Sequence, residues 1–136
     1  MQAYLASVAN EVAVDPTGDF VVDMRMLLTR FVDNLSRPIG QALMTVVLAI
    51  RGTPAEIHID RFMKVRLAQI EPIFSAAIAT GTIDPAIDRR EVIERAAGAA
   101  IFRLFIEGLP IDEAWIERMT RALGQLYSTP IEETPS

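Results

Sequence analysis

His58 is the one histidine of the chain, and it stands between two carboxylates in Glu56-Ile57-His58-Ile59-Asp60. A metal site on a helix needs ligands three or four residues apart so that they share a face, whereas residues two apart point to different sides. This spacing predicts no metal site. His58 therefore reads as an ordinary partly buried or surface imidazole, with a polar role in a ligand pocket as the alternative. The neighbouring acids Asp112-Glu113 and Glu132-Glu133 fall at a helix start and in a polar tail, where helix dipole and solubility account for them better than acid-base catalysis. There is no cysteine, no nucleophile elbow and no Gly-rich phosphate loop, so the parts of nucleophilic and nucleotide chemistry are missing. The expectation is a protein that is not an enzyme, with no metal and no cofactor.

Two arginines in apolar surroundings remain. Arg66 lies between Val65 and Leu67, where it either orients an anionic or carbonyl-bearing ligand or forms a surface ion pair with Asp60, Asp23 or Glu71. Arg103, between Phe102 and Leu104, must emerge at an edge or meet a carboxylate or carbonyls, because an unpartnered buried charge is costly.

The elements that carry these residues are helical. Phe20, Met24, Leu27, Leu28, Phe31 and Leu35 fall on one arc at helical spacing, with Asp23, Arg30 and Asp33 away from its centre and Val22 and Met26 on the more polar side. Pro38 to Ile50 is apolar nearly all round and predicts a helix enclosed by neighbours, with Ile39, Leu43, Met44, Val47 and Ile50 central. Thr53-Pro54-Ala55-Glu56 has capping-box spacing and opens a helix that runs to Thr80, with a bend or split expected at Pro72. Two further helices are expected, Arg89 to Glu107 and Asp112 to Tyr127, and a short one from Tyr4 to Val12. No β-alternation occurs. The fold class is all-α, a helical bundle of about six helices forming a single domain, with residues 129–136 as a flexible tail.

With 136 residues, 51% of them hydrophobic, the chain fits one core. A net charge of -5, with arginines interleaved among acids as in Asp88-Arg89-Arg90-Glu91, argues against a nucleic-acid partner for this chain alone. The longest uncharged stretch, Pro38 to Ile50, falls short of the roughly 20 residues that a membrane helix needs. No leader is evident, so a cytoplasmic protein without membrane contact is expected.

From Gly81 to Glu117 the chain carries a Gly81-x-Ile83 turn, Asp88 at a helix start, an internal Gly98, the run Ile101 to Phe105 around Arg103, a Gly108-x-Pro110 break and Asp112 opening the last helix. This pattern resembles the C-terminal domain of TetR-type transcriptional regulators, and the likeness extends loosely back to Asp15. The resemblance implies a homodimer in which the last two long helices pair with those of a second copy, with Ala97, Gly98, Ile101, Arg103, Trp115, Met119, Leu123 and Leu126 as interface candidates. It also implies a small, mostly apolar effector. Met24, Leu28, Phe31, Met44, Val47, Phe62, Ile70, Phe74, Phe102 and Phe105, with Arg66, are the candidates to surround it, and a filled core is the competing account of the same residues. Residues 1–14 would be the remnant of the helix that connects to a helix-turn-helix domain, and 15–128 the effector-binding and dimerisation bundle. That DNA-binding domain is not evident in this sequence, so the chain by itself is expected to dimerise without binding DNA. A bare dimerisation module and a hydrophobic-ligand carrier are the alternatives.

Overall fold

The computed structural model describes residues 14–129; the expected helix over Tyr4 to Val12 and all but the first residue of the expected tail fall outside them. Among the described residues there are five α-helices and no strand: α1 (Phe20–Ser36), α2 (Pro38–Ile50), α3 (Ile57–Thr80), α4 (Arg89–Ile101) and α5 (Glu113–Tyr127). A 3-10 turn, Pro54–Glu56, precedes α3, and a π-helical turn, Phe102–Ile106, follows α4.

Side-chain caps fix three of the starts. Asp19 accepts from Val22 N–H, Asp88 from Arg90 and Glu91 N–H, and Asp112 from Trp115 N–H. The start of α3 differs from the predicted capping box. The Thr53 hydroxyl donates to the Ile50 carbonyl instead of capping, and the Glu56 carboxylate accepts from Gly52 N–H. Both side chains thus close the end of α2, and the chain makes a 3-10 turn before α3 begins. Nor does Pro72 split α3. Pro72 and the Ala68 carbonyl it leaves without a donor lie on the exposed side, while Ile70, Ile73 and Phe74 hold both halves in the core.

The main core joins Phe20, Met24, Leu27 and Leu28 of α1 with Ile70, Ile73, Phe74 and Ala77 of α3, Val92, Ala96 and Ala100 of α4, and Ile116, Leu123 and Tyr127 of α5. α1 lies at its centre, against each of the other four helices. Asp23, expected away from the core, is fully buried. Its carboxylate accepts from Thr17 N–H, the Thr17 hydroxyl and Gly18 N–H, satisfying the loop that enters α1. Gly18 (φ 92°) passes so close to α3 that an added Cβ would meet Thr80 Cγ2 at 2.7 Å, and its carbonyl accepts from the Thr80 hydroxyl.

α2 departs most from expectation. It is not enclosed: Gly40 and Leu43 are buried, Met44, Val47, Ile39 and Ile50 are half-buried, and Leu48 is 75% exposed. Leu43 forms a small separate cluster with Phe62 of α3, backed by Ile39 and Val47. Helix α2 is therefore an outlying layer, standing off from the main core on one side of α1.

Candidate functional site

Between the main core and the outlying Leu43–Phe62 cluster there is a cavity of about 350 Å³. One wall is α1, through Met24, Leu27, Leu28, Phe31, Asn34 and Leu35. Leu43, Met44 and Val47 of α2 face it, with Ile59, Phe62, Met63, Arg66 and Ile70 of α3 and Ile93, Ala96, Ala97 and Ile101 of α4. Four helices thus line a partly open space that falls within the size of small-molecule sites and is bounded by aliphatic, thioether and phenyl groups. Arg51 and Arg90, both with well-exposed side chains, mark its rim.

Two polar side chains belong to the interior. Arg66 is 7% exposed, and its guanidinium stands over the Phe62 ring, with Cζ 5.1 Å from the ring centroid. Burial lowers its pKa to about 10, which leaves it charged at neutral pH. Its Nε is buried with no hydrogen-bond partner. The acids weighed as surface partners are engaged elsewhere: Asp60 with Arg51, Glu71 with Arg89, and Asp23 with the loop at Thr17. Asn34 is the second such residue, 3% exposed, with Oδ1 buried and unpartnered.

Of the residues singled out from sequence for a ligand, Met24, Leu28, Phe31, Met44, Val47, Phe62, Arg66 and Ile70 come together around this space. Three do not. Phe74 is sealed in the main core, 6.2 Å from Phe20 between ring centroids. Phe102 and Phe105 turn outward, Phe102 on the same face of α4 as the exposed Glu94 and Gly98; they are 55% and 37% exposed. Asn34 was missed, although Leu27, Phe31 and Asn34 share a face at helical spacing. His58 is half-buried and lies off the cavity, and among the described residues no three His, Cys, Asp or Glu side chains are grouped to hold a metal.

A family model described as tetracyclin repressor-like, C-terminal domain, matches residues 14–123, most of the chain. The chain belongs to that family. Searches of curated proteins and of solved structures gave no match. This TetR-type domain has, among its described residues, no helix long and apolar enough to cross a membrane.

The interface candidates divide. Leu123 is 3% exposed inside the core, while Ala97 and Ile101 are half-buried and line the cavity. Gly98 is exposed, with no atom within 4 Å of where a Cβ would stand. Trp115 and Met119 are half-buried, and Leu126 is 56% exposed. Arg103 meets a carbonyl: its Nε donates to Pro110 O at 2.8 Å, closing the loop between the π turn and α5. Phe102, Phe105, Ile106, Leu109 and Leu126 leave large apolar groups exposed on the π turn, that loop and α5.

Proposed function

We propose that this domain is the regulatory part of a TetR-type repressor, taking a small, mostly apolar effector into the cavity between α1, α2, α3 and α4 and forming a homodimer through α4, the π turn and α5. It performs no reaction. The observation that carries the reading is the apolar cavity itself: a bare dimerisation module would fill its interior, whereas here about 350 Å³ stays open between two clusters of a chain of this family. The thin α2 layer, held to the bundle by few buried residues, is the wall through which an effector would enter. In such regulators effector binding changes the setting of the helix leading to the DNA-binding domain. That coupling requires different effector affinities in two conformations of the bundle.

The test is a thermal-shift screen with an apolar small-molecule library. An effector at 100 times its Kd adds about 2.7 kcal/mol to native stability, a displacement of several degrees for a domain of this size. Absence of any stabilising compound would favour the bare dimerisation module. Binding by a protein that stays monomeric would favour a ligand carrier.

A further inference from the structure

We infer that the ligand of this cavity is an apolar carboxylic acid, its carboxylate received by Arg66. This rests on the cavity being the effector site and adds the chemistry of the effector's head group. The chain has 18 acidic residues against 13 lysines and arginines, yet the cavity lining contains three arginines and no acid. Arg51 and Arg90 at the rim are balanced by Asp60 and Glu94. Among the described residues Arg66 has no such counter-ion: none of their ion pairs includes it, and its Nε has no hydrogen-bond partner. A largely buried arginine whose guanidinium lies against a phenyl ring, with Nε buried and unpartnered, is unfavourable for folding, and an anion brought in by a ligand relieves it. The planar fork of donors matches a carboxylate, and most of the surrounding wall is apolar, suited to the rest of such a ligand. The unpartnered Oδ1 of Asn34, in the same lining, offers a second polar contact to a hydroxyl or N–H on the ligand.

The space sets the size of the ligand. At about 350 Å³ it stands at the lower end of small-molecule sites, which suits a small ligand of on the order of a dozen non-hydrogen atoms. Decanoic acid, methyl decanoate and decan-1-ol are therefore matched probes that differ in the head group alone.

Calorimetric titration of the wild-type domain with the three compounds tests the assignment. Decanoate is expected to bind at least about tenfold more tightly than the ester or the alcohol, the scale of one charge-assisted hydrogen bond. Arg66→Met should remove that preference, so that decanoate binds no more tightly than the alcohol, and Arg66→Lys should keep part of it. Ligand-free Arg66→Met should also melt a few degrees above wild type, because an uncompensated buried charge has been removed. Equal binding of all three compounds would overturn the carboxylate assignment and leave the apolar-effector reading standing. No binding by any of them would overturn the assignment, and a library hit without an acidic group would then still uphold the effector reading. A fall in the melting temperature of Arg66→Met would assign the arginine to the fold and likewise overturn it; the comparison of probes on wild type does not depend on that variant folding.

Discussion

Glu91 gathers two donors on one oxygen: the Tyr127 hydroxyl at 2.9 Å and Arg95 Nε at 3.0 Å. The hydrogen bond from Tyr127, seconded by Arg95, holds the Glu91 carboxyl below its ordinary range, while burial first and the bond to Glu91 second push the Tyr127 hydroxyl above its own. The signs follow from linkage. A depressed carboxyl pKa contributes stability that is present above the unfolded-state value and lost as pH falls through the folded one. A raised phenol pKa contributes stability that is present below its unfolded-state value and lost as pH rises through the folded one. Both contributions are thus full at neutral pH. Tyr127→Phe should return the Glu91 pKa toward its ordinary range, as read by NMR titration of the side-chain carboxyl. An unmoved pKa would show that Arg95 alone sets it. The bond is also a tertiary one, joining the end of α5 to the first turn of α4, so the same variant should loosen the attachment of the last turn of α5.

At the scale of elements, the attachment of α2 decides whether the cavity exists. Gly40 lies so close to the end of α1 that a Cβ there would run into the backbone carbonyl of Asn34, and its neighbour in the lining, Leu43, is the helix's main anchor. Gly40→Ala should therefore displace α2 from α1, costing about 1–3 kcal/mol as other overpacked sites do. Chemical denaturation would measure the cost, and weaker binding of any cavity ligand should accompany it. A variant as stable as wild type would mean that α2 shifts freely. Leu48, 75% exposed on the far side of the same helix, is the control: Leu48→Gln should change stability by no more than about 0.5 kcal/mol. The π turn acts on the opposite flank of the bundle. Its backbone bond from Glu107 N–H to Phe102 O widens the helix by one residue, and the turn leaves Phe102 and Ile106 exposed.

For the whole molecule, the exposed apolar groups of the π turn and α5 are the surface on which the proposed dimer depends. Phe102→Asp and Leu126→Asp, at 55% and 56% exposure, should dissociate the dimer without unfolding the protomer, with sedimentation velocity reporting the mass. A two-fold interface of more than about 1,000 Å² would be lost on introducing these charges. A wild-type protein that sediments as a monomer at micromolar concentration would remove the homodimer from the proposal. Leu123→Asp, by contrast, should unfold the domain, since Leu123 is a core residue.

Periodicity and punctuation in the sequence determined that the described elements are helices and which apolar residues form the cavity's α1 wall. An apolar arc at helical spacing has one low-energy way to be buried, which is why Met24, Leu27, Leu28 and Phe31 were legible as inward-facing. The motif from Gly81 to Asp112 determined the family, because its turn glycines and caps answer to local backbone needs. What one segment cannot specify is how much neighbour it will have. An all-round apolar α2 signals burial, yet only the packing of the bundle left it outside the core with Leu48 in solvent. The same holds for charges: Asp23 and Arg66 both sit on amphipathic helices, and tertiary structure alone decided that a loop would fold over one while the other would face a cavity without a counter-ion. Burial and pairing are properties of the space between elements, and that space exists only once the helices have met.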